Sequence, residues 1–408
     1  MSQGNAGVAV TAAATDVRPL AGRKLYFVGI GGAGLSAYAN FAKAWGADVR
    51  GWDVRETIFL DALDGIEVDV GGDPAPPSGY EVILSTAHAG LAEGRSRADF
   101  LAELVSLRPA IVVGGAHGKT TTTAMIAFVL RELGEDPAWI VGGVVPQLGG
   151  NAGMGSGWLV VEGDESDRSI GLLEPEIAVV TNVELDHHAA FASEAELADF
   201  FDGWLGRVAK TVRGWELDPV EVELAVPGDH NRLNAAAALA ALELAGIKRS
   251  RAKEAIVRFE GVDRRFQLVG EHGGVRVYDD YAHNPTEIAT ILRTARAQDP
   301  HHLIAVYQPH VYERTRQLRT ELGLALGEAD VAIVTDVIGG RDEPKPGITG
   351  KTVLDEVPSG VRRGWAPTLG AAAQLTLAWA RPGDVVVTLG VGEPWRVART
   401  VVDGLAER

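Results

Sequence analysis

Residues 110–130 read AIVVGGAHGKTTTTAMIAFVL, a strand-like apolar run followed by a glycine-rich turn and a helix-like segment. Gly114 and Gly118 enclose three residues ahead of Lys119 and Thr120, one residue fewer than in the GxxxxGK(S/T) form of the phosphate loop. The physical requirements are kept, because backbone amides and a helix N-terminus face the phosphates, Lys119 supplies a positive charge and Thr120 supplies a hydroxyl for Mg²⁺. A purely structural turn has no need of a lysine between glycine and threonine. We therefore predict that this turn binds a nucleoside triphosphate.

Carboxylates follow the next apolar strand of the same segment. Glu162 and Asp164 come directly after residues 158–161, where a carboxylate must stand to reach a metal ion held by the phosphate loop. Because oxygen ligands of this kind suit Mg²⁺, we expect Mg²⁺ as the metal.

A second group of polar residues follows the strand-like run at residues 176–182. Glu184, Asp186 and His187 lie there and could complete a second metal site. Each of these acids taken alone could equally cap a helix. Their coincidence with the phosphate loop favours metal binding.

A second glycine-rich turn occurs near the start of the chain. The strand-like run KLYFVGI leads into Gly29-Ile30-Gly31-Gly32-Ala33-Gly34, and Asp53 lies 19 residues beyond Gly34, about where a ribose-binding acid is found. Read alone, the GxGxxG pattern predicts NAD binding or a turn needed only for packing. A dehydrogenase has no use for a lysine-bearing phosphate loop, so we expect one turn to bind ATP and the other to hold a second phosphorylated substrate.

Short β-branched runs alternate with Ala- and Leu-rich stretches throughout the chain, which predicts parallel sheets covered by helices. We divide the chain into three α/β domains at residues 1–107, 108–260 and 261–408. In the second domain, a helix is expected to begin near Asn231, which could cap it, and to end at Gly246. Ligands of open α/β sheets lie beyond the carboxyl ends of strands, so residues at those ends are the candidates for function.

Composition excludes several classes of protein. The 408 residues carry a net charge of −17, which argues against the phosphate-backbone attraction of nucleic-acid binders. Cysteine is absent, so neither disulfides nor thiolate catalysis is possible. The first twenty residues lack the features of a secretory signal and no apolar run approaches membrane-spanning length. We expect a cytoplasmic protein without membrane insertion, as a monomer or homodimer.

Eight motifs extend this picture to nearly the whole chain: GIGGAGLS, AHGKTTTT, EGDESD, TNVELDHH, HNRLNAAAA, RRFQ, DDYAHNPTE and QPHVYERT. Their order resembles that in the Mur ligases of peptidoglycan synthesis. The first and the last two motifs resemble the branch of that family that adds L-alanine to UDP-N-acetylmuramate. The resemblance implies a Rossmann-like N-terminal domain for the UDP-sugar, a central P-loop ATPase-type domain, and a C-terminal Rossmann-like domain that closes over the site.

Matching positions imply the site residues. The implied ATP-binding residues are Gly115, His117, Gly118, Lys119, Thr120, Thr121, Asn231, Asn234, Arg265 and Asp280. Among them, Asn231 and Asn234 match the pair that reads adenine, and Arg265 matches an arginine that reaches ATP from the third domain. The implied UDP-sugar residues are Gly29, Gly31, Gly32, Gly34, Asp53 and Ser85. The implied metal ligands are Thr120, Glu162 and His187, and the implied catalytic residues are Lys119, His187, His283 and Arg314.

The resemblance thus implies an enzyme with ATP and Mg²⁺ that joins L-alanine to the carboxylate of UDP-N-acetylmuramate through an acyl phosphate. Three departures from the family motifs, Ala116, Asn284 and Val311, leave the amino-acid specificity open, and a ligase that recycles murein tripeptide is an alternative. Residues 188–229 are fewer than the family leads us to expect, so a non-catalytic nucleotide-binding regulator with a trimmed central domain is a further alternative. We expect Lys210 to be a surface lysine rather than a metal-bridging one.

Overall fold

A computed structural model of the chain describes residues 18–407, with residues 58, 62, 64, 186–189, 340 and 341 left out. Its strands form three separate sheets that follow one another along the chain. Each sheet is parallel at its centre and is accompanied by helices. The predicted three-domain α/β fold is confirmed.

The N-terminal sheet is parallel throughout and has the strand order β3-β2-β1-β4-β5. Its elements are β1 (Lys24–Val28), α1 (Ala33–Ala44), β2 (Asp48–Asp53), β3 (Glu67–Val70), β4 (Glu81–Leu84), β5 (Arg95–Ser96) and α2 (Arg97–Ser106). The chain leaves β1 on one side for β2 and later returns on the other side as β4. This switch point lies at the carboxyl end of β1, where the first glycine-rich turn begins.

The central sheet has the order β11-β10-β6-β9-β7-β8, and only the β7–β8 pair is antiparallel among the described strands. Its elements are β6 (Ala110–Gly114), α3 (Lys119–Glu132), β7 (Ala138–Val145), β8 (Gly150–Gly153), β9 (Leu159–Glu162), β10 (Ile177–Val180), α4 (Glu194–Leu205), β11 (Lys210–Arg213), α5 (Asp229–Leu244) and α6 (Arg249–Ile256). The strand β6 lies between β9 and β10. The ends of these three strands therefore meet at one edge of the sheet.

The C-terminal sheet has the order β12-β13-β17-β14-β15-β16, with only β12 antiparallel to its neighbour among the described strands. Its elements are β12 (Gln267–His272), β13 (Val275–Asp280), α7 (Pro285–Arg296), β14 (Leu303–Tyr307), α8 (Tyr312–Gln317), α9 (Arg319–Leu326), β15 (Val331–Val334), α10 (Lys351–Leu354), β16 (Arg362–Trp365), α11 (Leu369–Trp379), β17 (Val385–Leu389) and α12 (Pro394–Ala406). The end of β13 faces the central domain, as the contacts of Arg265 and Glu287 described below show.

Helix ends follow the local sequence in most places and depart from the prediction in one. Gly246 follows the end of α5 with φ 91°, a left-handed conformation that glycine adopts without strain, as predicted. The predicted cap at Asn231 is wrong. The helix begins at Asp229 after Gly228, and Asn231 is its third residue. The Asn231 amide instead donates to the Pro227 carbonyl, four residues earlier, at 2.7 Å, and the residue is buried.

The N-terminal and central domains share one hydrophobic core. Residues of α1 and α2, such as Phe41 and Leu104, belong to the same buried cluster as Leu159 and Val161 of β9. The helix α1 packs on β7 and β8 of the central sheet. The C-terminal sheet has clusters of its own on its two faces. The first two domains therefore form one packed unit, whereas the third meets it through polar contacts.

Two further observations bear on the sequence expectations. None of the helices in the described part of the chain is long and apolar enough to cross a lipid bilayer. Lys210 lies half-exposed at the edge of the central sheet, where its ammonium group pairs with Glu176 at 2.7 Å. The expectation of a surface lysine is confirmed.

The fold predicts a clear difference between two leucines of α5. Leu239 is fully buried in the core between α5 and α3, so Leu239→Ala is expected to lower the free energy of unfolding by about 2–5 kcal/mol through lost burial and a residual cavity. Leu244→Ala in the same helix is the control, because that side chain is 37% exposed and should cost less than about 1 kcal/mol. Urea unfolding followed by tryptophan fluorescence measures both. Equal costs would contradict the described packing of α5.

Candidate active site

The turn between β6 and α3 is built on glycines that no other residue could replace without strain. Gly115 has φ 118° and Gly118 has φ 78°, both in the left-handed region. A Cβ atom at Gly118 would lie 2.1 Å from Oδ1 of Asn234, and one at Gly115 would lie 2.3 Å from Oγ1 of Thr181. The turn therefore packs closely against the end of β10 and against α5. Its backbone amides lie at the start of α3, an arrangement that suits an anion.

Lys119 is folded back into this turn. Its Nζ donates to the carbonyl oxygens of Gly115 at 2.5 Å and Ala116 at 3.1 Å, and to Oε1 of Glu165 at 2.9 Å. Burial opposes the charge, but the carboxylates of Glu165, Glu162 and Asp164 together outweigh it and raise the pKa of Lys119. The lysine therefore carries its positive charge inside the loop before any phosphate arrives.

Thr120 and Glu162 lie together at the carboxyl ends of β6 and β9, as the motif spacing predicts. The Thr120 hydroxyl donates to Oε1 of Glu162 at 3.0 Å, and the Gly142 amide donates to Oε2 at 2.7 Å. Burial raises the pKa of Glu162, so a nearby cation would stabilise its charged form. A hydroxyl and a carboxylate oxygen in contact are the donor types that Mg²⁺ takes, and these two residues fit it.

His187 lies outside the described residues, so its role as a metal ligand and catalytic residue stays a prediction. Within the described residues no group of three or more His, Asp or Glu side chains is arranged to hold a metal ion. Of the three predicted metal ligands, the structure therefore describes Thr120 and Glu162.

Thr181 and Asn182, at the end of β10, form hydrogen bonds with the backbone of the phosphate loop. The Asn182 side chain accepts from the His117 amide at 3.0 Å and donates to the His117 carbonyl at 2.8 Å. The Thr181 hydroxyl donates to the same carbonyl at 2.6 Å. Sequence reasoning placed Thr181 and Asn182 at a strand end without a role, and the structure shows that they hold the backbone of the loop.

His117 joins the phosphate loop to the C-terminal domain. Its Nδ1 lies 3.2 Å from Oε1 of Glu287 on α7, and its Nε2 lies 3.2 Å from Oε2 of Glu184. Thr286 of α7 also donates to Glu184. Burial opposes protonation of His117, but the two carboxylates outweigh it and raise its pKa to about 9. A protonated imidazole between two carboxylates thus bridges the two domains at neutral pH.

A cavity of about 430 Å³ opens beside the phosphate loop. Asn231 and Asn234 line it, and the Asn234 amide donates to Oδ1 of Asn231 at 3.2 Å. Trp215 and Leu217 also line it, together with polar residues such as Thr286, and Trp215 is 45% exposed. Amide groups beside an exposed aromatic ring suit a heteroaromatic base.

The C-terminal domain brings Arg265 and Asp280 to the same cavity. Nη2 of Arg265 donates to the Thr120 hydroxyl at 3.3 Å, and the guanidinium group lies 5.3 Å from the ring centre of Tyr281. The Asp280 carboxylate accepts from the amides of Phe266 and Ala282, both at 2.6 Å. Burial raises the pKa of Asp280 to about 7, against the opposing charge of Arg265.

His283 and Arg314 lie near Tyr281 in the C-terminal domain. Nδ1 of His283 is 3.2 Å from the Tyr281 carbonyl and 3.5 Å from Oε2 of Glu287. The charges of His283 and Arg314 reinforce the effect of burial on His310, whose pKa falls to about 4. Three basic residues therefore gather at the ends of β13 and β14, and sequence reasoning had assigned no role to His310.

The family departures have local structural consequences. Asn284 caps α7, because its side chain accepts from the Glu287 amide at 2.9 Å. The carbonyl of Ala116 holds Lys119, an interaction that any residue could supply. Val311 precedes α8 with φ 70°, a strained conformation for a β-branched residue.

The first glycine-rich turn is packed against the ends of β2 and β4. The Gly31 amide donates to Oδ2 of Asp53 at 2.8 Å, and Asp53 is buried. Gly29 has φ 85°, and a Cβ atom there would lie 2.4 Å from Oγ of Ser85. Ser85 in turn contacts Nδ1 of His88 at 2.8 Å. Asp53 therefore orders the turn itself, a contact that the expected ribose role did not include.

Gly32 and Gly34 complete the turn at the start of α1. Gly32 is the N-cap of the helix and Gly34 is its second residue. The six residues predicted to hold the UDP-sugar thus lie at one edge of the sheet.

Two family models match the chain: the Mur ligase middle domain over residues 113–203 and the Mur ligase glutamate ligase domain over residues 264–392. A UDP-N-acetylmuramate--L-alanine ligase from Desulforamulus reducens is 34% identical over 95% of this chain and 98% of its own length. The chain belongs to the Mur ligase family.

Solved structures agree with the family. The UDP-N-acetylmuramate-alanine ligase from Thermotoga maritima superposes with a TM-score of 0.80 at 26% identity, covering 94% of this chain and 99% of its own. A murein peptide ligase from Psychrobacter arcticus shares the fold, with a TM-score of 0.67 at 21% identity over 95% and 99% of the two chains. The alignment with the Desulforamulus reducens ligase spans 457 positions, whereas this chain has 408 residues. This Mur ligase is therefore shorter than that relative within the aligned region.

The bridge at His117 predicts a pH dependence of stability for the ligand-free Mur ligase. Because its pKa in the folded protein, about 9, lies above the ordinary 6.5, protonated His117 stabilises the fold fully below pH 6.5, and this contribution is lost as the pH rises through 9. We expect the free energy of unfolding to fall by roughly 1–3 kcal/mol more in the wild type than in His117→Asn over this range. Urea titrations at several pH values measure the difference.

The control for this titration is His272→Asn, an exposed histidine at the end of β12. That variant should keep the wild-type dependence on pH. A His117→Asn profile parallel to the wild type would show that the histidine is not held protonated between the two carboxylates.

Proposed function

We propose that this protein is an ATP-dependent ligase that joins L-alanine to the carboxylate of UDP-N-acetylmuramate in peptidoglycan precursor synthesis. The observation that carries the proposal is its identity of 34% to a UDP-N-acetylmuramate--L-alanine ligase over nearly the full length of both chains. The site supports it, because a lysine-bearing phosphate loop and a second glycine-rich turn lie in one packed unit. The proposed location is the cytoplasm.

In the first step, the muramyl carboxylate attacks the γ-phosphorus of ATP in line, and an acyl phosphate and ADP form. Lys119 lies at the start of α3 with its charge already formed, and it stabilises the negative charge that develops on the transferring phosphoryl group. Arg265 reaches the same place from the third domain through its contact with Thr120. The adenine lies in the cavity lined by Asn231, Asn234 and Trp215.

The proposed metal is Mg²⁺, held by Thr120 and Glu162. When bound, it neutralises phosphate charge at the point of transfer. Glu162 suits this role because burial disfavours its charge in the absence of a cation.

In the second step, the neutral amine of L-alanine displaces phosphate from the acyl phosphate and forms the amide. We propose that Arg314, which lies near His283 and His310, binds the carboxylate of the amino acid. We propose that His283, in its neutral form, accepts the amine proton at Nε2, since Nδ1 faces the Tyr281 carbonyl and carries the other proton. Contact between the third domain and the phosphate loop keeps water from the intermediate.

The test of the proposal is an assay of phosphate released from ATP. Release is expected only when UDP-N-acetylmuramate and L-alanine are both present. A panel of glycine, L-serine and the tripeptide L-Ala-γ-D-Glu-meso-diaminopimelate checks the specificity. Release with the tripeptide in place of L-alanine would overturn the proposed substrate, and binding of ATP without any turnover would favour a regulator.

Lys119→Ala is expected to abolish this activity, with a loss of at least about a hundredfold in kcat, because the phosphoryl group then lacks its fixed positive charge. Lys210→Ala is the matched control, since that lysine pairs with Glu176 on the surface and should leave kcat unchanged. Steady-state phosphate release measures both. Substantial turnover by the Lys119 variant would reject the assigned site.

A further inference from the structure

Arg97 connects the first glycine-rich turn with the central domain. It is the first residue of α2, and its Nη2 contacts Oδ2 of Asp164 at 2.5 Å and Oδ2 of Asp167 at 3.0 Å. Its Nε donates to the Thr86 hydroxyl at 3.0 Å. Both aspartates belong to the central domain, so two domains fix the position of one guanidinium group.

The remaining nitrogen of this guanidinium group faces the glycine-rich turn. A Cβ atom at Gly34 would lie 3.5 Å from Nη1 of Arg97. Among the contacts of the described residues, Nη1 makes no hydrogen bond, whereas Nε and Nη2 make three. A planar guanidinium group held at two nitrogens presents its third in a fixed direction, which suits an oxygen of a phosphate.

The turn itself brings amides but little positive charge. The N-cap of α1 is Gly32, and the basic residue of that helix, Lys43, lies in its last turn. A diphosphate carries two negative charges and the whole chain carries −17, so an ordered cation at the turn would add to the attraction of the helix N-terminus.

We propose that Arg97 binds the diphosphate of the sugar nucleotide, and that Asp164 and Asp167 of the central domain are positioning residues for it. This inference rests on the proposed function for the presence of a sugar nucleotide. The ligand site then spans two domains, which the shared core of those domains keeps in register.

The same short segment also serves the ATP site. Residues 162–167 supply Glu162 to Thr120, Glu165 to Lys119, and Asp164 and Asp167 to Arg97. Because six consecutive residues hold both phosphate-binding groups, the segment sets the distance between the two nucleotides. The muramyl carboxylate and the γ-phosphate are thereby brought to one place.

The test is calorimetric binding of UDP and of UDP-N-acetylmuramate to the full chain. Arg97→Met is expected to weaken the binding of both ligands by the same factor, roughly 10- to 100-fold, because a charge-assisted hydrogen bond to the shared diphosphate is lost. Arg97→Lys is expected to recover part of the affinity by restoring the charge. Thermal unfolding is measured beside binding, because Asp164 loses its partner in Arg97→Met, and ATP affinity is expected to change by a clearly smaller factor than UDP affinity.

Arg95→Met is the matched control, since Arg95 lies two residues away and pairs with Glu103. It should bind UDP as the wild type does. Asp167→Asn tests the positioning role, since Asp167 is not proposed to touch the ligand. It is expected to weaken the binding of UDP by a smaller factor than Arg97→Met does.

The outcomes separate the inference from the proposed function. Wild-type affinity for UDP in Arg97→Met would overturn the inference while leaving the ligase reaction intact. A loss confined to UDP-N-acetylmuramate, or an equal loss for ATP, would also overturn it, because the contact would then not be with the diphosphate. A wild-type chain that binds UDP-N-acetylmuramate but ligates no amino acid would reject the reaction alone. A wild-type chain that binds neither uridine ligand would overturn both.

Discussion

The ion pair between Lys119 and Glu165 is the interaction on which the rest of the site depends. Both groups are withdrawn from water, and a buried charge is stable only when another charge or several hydrogen bonds compensate it. The pair therefore ties α3, which carries the lysine, to the segment after β9, which carries the glutamate. Once that segment is in place, Glu162 reaches Thr120 on one side and Asp164 reaches Arg97 on the other. Two phosphate-binding regions are thus organised around one compensated charge.

The three domains are joined in two different ways. The first two share an apolar core, which resists relative motion because separating them would expose buried side chains to water. The third meets them through ion pairs and hydrogen bonds, above all those of His117, Glu287 and Arg265. Because His117 and Glu287 are largely buried, each depends on the other for charge compensation. The first two domains therefore meet through apolar packing, whereas the contact with the third depends on paired charges.

Much of this arrangement could be predicted from local sequence, and some of it could not. The strands and the phosphate loop follow from patterns within a few residues, and the contact of Thr120 with Glu162, 42 positions apart, was expected from the place of Glu162 at a strand end and from the family motifs. Asn182 and Glu287 received no role, since their significance lies in contacts with His117 from other parts of the chain. Asn231 was wrongly expected to cap α5, because the helix begins two residues earlier at Asp229 and the Asn231 amide contacts the Pro227 carbonyl four residues before it. For Asp53, the spacing located the residue but not its partner, the Gly31 amide.

The sequence by itself determined the α/β class, the two glycine-rich turns and the family, because strand and helix periodicity and turn chemistry are written in neighbouring residues. Only the tertiary structure decided which charges face each other. The pairing of Lys119 with Glu165 joins residues 46 positions apart, and that of His117 with Glu287 joins residues 170 positions apart. Such pairs depend on strand order and domain contact, since a strand's neighbours in a sheet are not set by its own residues. Charge compensation at the site is therefore a property of the folded chain.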